Sequence, residues 1–78
     1  MPDSTYQVKD LYLAAFIYSQ KMELVSVDRQ GSVCWFIFDN FHKCDELEKL
    51  YWSYKGQIVV KQYSDALRTL KDLIFSKH

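Results

Sequence analysis

Proline and glycine are nearly absent: the 78-residue chain has one proline, at position 2, and two glycines, Gly31 and Gly56. That scarcity, with 49% hydrophobic and 17% aromatic residues, excludes disorder, collagen-like repeats and low-complexity linkers. Two glycines this far apart cannot form a Gly-rich phosphate loop. The longest apolar run, Leu11 to Tyr18, is eight residues, well below the ~20 that a membrane helix needs. Cysteine is limited to Cys34 and Cys44. With no leader-like segment ahead of them, they are expected to be free thiols in a reducing cytoplasm.

An excess of either charge is also missing. Ten Lys/Arg balance ten Asp/Glu, which argues against nonspecific binding to nucleic acid or membrane. The distribution is uneven, however. Residues 1–54 carry five basic against eight acidic side chains, a net −3, and residues 55–78 carry five against two, a net +3. Two solvated faces of opposite sign explain this; a basic C-terminal surface for an acidic partner is the sharper alternative.

The chain has what a single small core requires. Residues 1–5 read as a polar tail and residues 6–78 as one domain. "YQVKDLYLAAFIYSQK", from Tyr6 to Lys21, predicts a first helix, apolar nearly all round and so either central or half of an oligomer interface. Met22–Val27 and Ser32–Phe38 predict two strands around "DRQG", with Gly31 closing a hairpin. Alternation puts Val33, Trp35 and Ile37 on one face of the second strand and Cys34, Phe36 and Phe38 on the other. Asn40 predicts the N-cap of a second helix, and Gly56 its end. Cys44, Leu47, Leu50, Tyr51 and Tyr54 share a face of it, and Trp52 points away. A short third strand is expected at 58–60. Lys61–Ser76 predicts the last helix, with Tyr63, Ala66, Leu67, Leu70, Leu73 and Ile74 inward and Asp65–Arg68–Asp72 paired outside. The order α-β-β-α-(β)-α defines an α+β fold with a hairpin or three-stranded antiparallel sheet against helices.

The twelve residues "VCWFIFDNFHKC", 33–44, look like chemistry because they hold two cysteines and His42. A structural zinc site wants four ligands as two close pairs. Here Cys34 falls mid-strand, Cys44 on a buried helix face, and the only other histidine is His78. No Cys-x-x-Cys marks a redox pair. Two core cysteines are the simpler reading. No serine sits in a nucleophile elbow, His42 has no evident partner, and Asp45, Glu46 and Glu48 read as a solvated helix face. We therefore expect no enzyme, no metal, no cofactor and no small-molecule substrate.

Surfaces remain. Tyr12, Phe16, Trp35 and Trp52 are the candidates for protein contact, because Trp and Tyr bury large areas at low entropic cost. Trp35 reads as core packing beside Val33 and Ile37 before it reads as a contact, and Trp52 lies off its helix's main stripe. The alternative is nucleic-acid binding through Lys61, Arg68, Lys71 and Lys77, weakened by Asp65 and Asp72 among them and by the lack of basic residues interleaved with Trp35, Phe36 and Phe38.

Three stretches, "DLYLAAFIYSQKMELVSVDRQGSVCWFIFD", "YWSYKGQIVV" and "YSDALRTLKDLI", together resemble a family of short bacterial and phage proteins catalogued as a domain of unknown function. The resemblance covers about residues 10–75 and rests on hydrophobic, structural motifs. It departs at Val60, Lys61 and Gln62, where that family places a capping Asp or Ser. It implies a cytoplasmic protein, often from a mobile element, with no catalytic residues to carry over; Arg68 and Lys71 match "ALRTLK" without an assigned role. The expectation is a small protein-binding module, self-associating or inhibiting a host system.

Overall fold

The structure, a computed structural model, describes residues 4–53 and 60–75. Its elements are β1 (Tyr6–Val8), α1 (Leu11–Ser19), β2 (Leu24–Gln30), β3 (Val33–Phe38), α2 (Phe41–Trp52) and α3 (Val60–Phe75). The three strands form one antiparallel sheet in the order β1-β3-β2. Three helices and this sheet make the expected α+β domain, flattened to 36 × 35 × 18 Å.

The first helix is shorter than the expected Tyr6–Lys21, covering Leu11–Ser19. Tyr6, Gln7 and Val8 pair with Phe38, Ile37 and Phe36 of β3, so the segment's β-prone Tyr and Val follow a tertiary partner rather than helical spacing. Asp10 then caps α1, its Oδ1 accepting from the Tyr12 and Leu13 amides at 2.9 and 3.2 Å. At the other end Lys21 adopts φ 68°, and its amide donates to the Tyr18 carbonyl at 3.0 Å. A left-handed residue here closes the helix. Within the expected tail, the Ser4 carbonyl accepts from the Phe41 amide at 2.7 Å.

The third strand of the sheet is β1; the short strand expected at 58–60 falls, apart from Val60, outside the described residues. Residues 58 and 59 lie outside the described residues, as do Tyr54, Gly56 and Lys77, and Val60 already opens α3. The hairpin also differs from expectation. Asp28, Arg29 and Gln30 belong to β2, opposite Trp35, Cys34 and Val33, leaving Gly31 and Ser32 as a two-residue turn. Gly31 has φ 63°, which suits the first central position of a hairpin turn.

The core face of β3 is Phe36 and Phe38, both fully buried, and Trp35 is only half-buried on the other face. This overturns the expected packing of Trp35 with Val33 and Ile37. The register explains the choice: Phe36 lies between Val8 and Val27, and Phe38 between Tyr6 and Leu24. Trp35 instead faces Asp28, and Ile37 lies between Gln7 and Ser26. A strand with two apolar faces buries the one whose neighbours are apolar too. The irregularity between Leu24 and Ser26 leaves Val25 exposed.

Helix α1 is the centre of the molecule, with Leu13 to Ile17 buried without interruption. It packs chiefly on α3, through Ala66 and Leu70, and also on α2, through Cys44 and Leu47. Asn40 does cap α2, its Oδ1 accepting from the Lys43 amide at 3.2 Å, and its φ of 71° is one that Asn tolerates. Leu50 and Leu73, expected inside, are exposed. For Leu73 the lengths suffice as a reason: α3 spans ~24 Å and α1 ~14 Å, so the last turn of α3 outruns its support.

Candidate interaction surface

Three of the aromatic side chains meet above the middle of α1. Phe16 is 4% exposed, with its ring centroid 5.5 Å from that of Tyr51 on α2. Tyr51 in turn meets Trp52 edge-on at 5.0 Å and 83°. Tyr63 of α3 lies near Tyr51 and is half-buried. Burial raises its phenol pKa above the usual value, with further contributions from Tyr51, Tyr12 and Asp10 nearby. Phe16 is therefore a core residue, overturning its place among the contact candidates, and it supports a surface made by others.

That surface includes two of the expected residues. Trp52 is 58% and Tyr12 53% exposed. The Trp52 indole is nevertheless fixed, its Nε1–H donating to Glu48 Oε2 at 3.0 Å one helical turn back. Tyr12 projects from the first turn of α1, near enough to Tyr63 to act on its phenol. The remaining candidate, Trp35, is separate: it sits on the outer sheet face, with Lys9 Nζ 5.9 Å from its ring centroid. Tyr51 and Tyr63 were legible in the sequence only as core positions. Their half-burial places them where core and surface meet, a property that spacing on a single helix does not reveal.

Lys61 pairs with Asp65 at 3.5 Å, displacing the expected Asp65–Arg68 contact, while Arg68 and Lys71 are exposed. On α2, Lys49 pairs with Asp45 at 3.2 Å. Both are solvent-exposed pairs of small energetic weight.

Neither cysteine is set up for chemistry. Cys44 is fully buried, and its Sγ donates to the Asp39 carbonyl at 3.4 Å. Burial, then the Asp39 charge, raises its pKa to about 11. Cys34 is half-buried and free. Among the described residues, no three His, Cys, Asp or Glu side chains converge in a way that could hold a metal ion. No helix among them is long and apolar enough to cross a membrane.

The chain is a small α+β domain whose exposed aromatic side chains rest on a packed core. The chain is a member of the family described as Domain of unknown function (DUF5659), whose model matches residues 3–76. No curated protein and no solved structure matches it.

Proposed function

We propose that this domain is a small, non-enzymatic, cytoplasmic module that binds a protein partner through the aromatic surface around Trp52. One observation carries the reading. Trp52 is a large, exposed aromatic side chain whose orientation is fixed in advance by Glu48 and by the Tyr51 ring. A pre-ordered indole loses little entropy on binding, which is why such residues become hot spots. Tyr12 extends the same surface. If the protein comes from a phage or mobile element, as its sequence resemblance implies, inhibition of a host system by direct binding is the natural use.

The test is affinity capture from the native host with wild-type protein and with Trp52→Ala. A partner retained by the wild type and lost by at least roughly tenfold from the variant supports the reading. Equal recovery by both removes this surface from consideration. The second reading, nucleic-acid binding, draws on the exposure of Arg68 and Lys71 on one side of α3. Fluorescence anisotropy with single- and double-stranded DNA and RNA tests it. Micromolar binding that collapses as salt rises, and weakens in Arg68→Ala, would replace the protein-binding reading.

A further inference from the structure

The two tryptophans differ in what their own chain places beside them. Trp35 already has a cation over its ring, Lys9 Nζ at 5.9 Å from the centroid. Trp52 is the more exposed of the two and has no such cation among the described residues. An anion stands beside it instead. Glu48 Oε2 accepts from the indole Nε1–H at 3.0 Å, and that carboxylate has no ion pair among the described residues. The other charges of α2 leave it so. Lys49, three residues before Trp52, is held by Asp45 at 3.2 Å. Lys43 lies nine residues before Trp52, about 14 Å along the axis and half a turn round the helix. Glu46, also without an ion pair, adds negative charge about a third of a turn away. The charge next to the indole is therefore that of Glu48, and it is uncompensated.

We infer that Glu48 and Trp52 together receive an arginine side chain of the protein partner, its guanidinium lying on the indole face and donating to the Glu48 carboxylate. The inference rests on the reading of Trp52 as the contact residue and adds what has to come to meet it. Indole and carboxylate are hydrogen-bonded to each other, so a partner that covers Trp52 also strips water from Glu48. A carboxylate enclosed with a single N–H donor is costly, and the partner has to supply the missing donors and the opposite charge. A guanidinium does both. It is planar, so it stacks on an aromatic face, and its fork of N–H groups matches a carboxylate. A lysine ammonium brings the charge without the plane and gives up a stronger hydration shell. The sign of the charge also argues against nucleic acid at this spot. A carboxylate bonded to the indole repels phosphates, which a base stacked on Trp52 would bring with it. The net −3 of residues 1–54 favours the approach of a basic segment in the same way.

The probe is a displayed library of random peptides, selected on the full chain after depletion on Trp52→Ala. The expected result is a set of Trp52-dependent peptides that share an arginine. For a labelled member of that set, fluorescence anisotropy should show binding weakened by about tenfold or more in Glu48→Gln. The amide oxygen of that variant still accepts from the indole N–H, so the charge is removed while Trp52 stays in place. An unchanged near-UV circular-dichroism spectrum checks this. Lysine in place of the peptide's arginine should weaken binding by a smaller factor, and glutamate should abolish it. Trp52-dependent peptides that lack arginine, or that bind Glu48→Gln as tightly as wild type, overturn this inference and leave Trp52 as the contact for a different kind of partner. If no selected peptide depends on Trp52, the reading of that surface falls together with the inference.

Discussion

Arg29, in the last turn-proximal stretch of β2, donates from its guanidinium to the carbonyl oxygen of Ile74, 45 residues away in the final turn of α3. The pairing follows from register. Arg29 lies opposite Cys34, so its stem leaves the sheet on the side that carries Phe36 and Phe38, toward the helices. A cation at a helix C-terminus meets both an unpaired carbonyl and the negative end of the helix dipole. The hairpin tip and the end of the chain's longest helix are therefore joined by a charge-assisted bond rather than by packing.

Replacing Arg29 should loosen that end without unfolding the domain. The bond is solvent-exposed, so Arg29→Ala should lower stability by only about 1 kcal/mol, and Arg29→Lys by less. Urea denaturation reads the global change. Hydrogen exchange reads its location, with faster exchange expected in the last turn of α3 and at Gly31–Val33. Acceleration spread evenly over all three helices would show that Arg29 acts elsewhere.

Phe16 gives the opposite expectation. Its ring is buried against Tyr51 and lies beneath the exposed aromatics. Phe16→Ala should lower stability by roughly 3–5 kcal/mol, from lost burial and the cavity left behind. For a domain of this length that is much of the total stability. A fall in Tm of about 15 °C or more is expected in calorimetry. Trp52→Ala, by contrast, should change stability by less than ~0.5 kcal/mol. Similar melting of both variants would mean that Phe16 is not the support of this surface.

What the sequence made legible divides along the same line. A hairpin closed at Gly31, Asn40 as a cap and the inward Ala66 and Leu70 are local patterns; each is present, the hairpin with a shorter turn than expected. β1 was hidden because no Gly or Pro separates Tyr6–Val8 from the helix that follows, and only its pairing with β3 marks it as strand. The choice of Phe36 and Phe38 over Trp35 and Ile37 was hidden for a related reason. Both faces of β3 are apolar, so alternation alone could not say which turns inward; the residues opposite, Val8, Val27 and Leu24, decide it. At the candidate surface, Trp52 was legible as a residue off the stripe of its own helix. Phe16 was not, because it is α2 and α3 that close over it.

Cys44 ties burial to a pH dependence whose sign can be worked out. Its thiol is held at a pKa of about 11, against 9.0 for an ordinary thiol, by burial first and the Asp39 charge second. Between these values the unfolded chain loses its thiol proton while the native protein keeps it. The unfolded state then binds fewer protons, so stability falls as pH rises. The contribution is complete below pH 9 and is lost progressively up to about pH 11, by at most roughly 3 kcal/mol. Tyr63, also raised above its ordinary 10.0, adds a loss of the same sign that begins about one unit higher. Urea midpoints measured from pH 7 to 10.5 should therefore decline beyond pH 9. Cys44→Ala should remove the early part of that decline and leave the part due to Tyr63. An unchanged profile in the variant would mean that the thiol ionises equally in both states, and that Cys44 is less enclosed than its place between Asp39 and α1 implies.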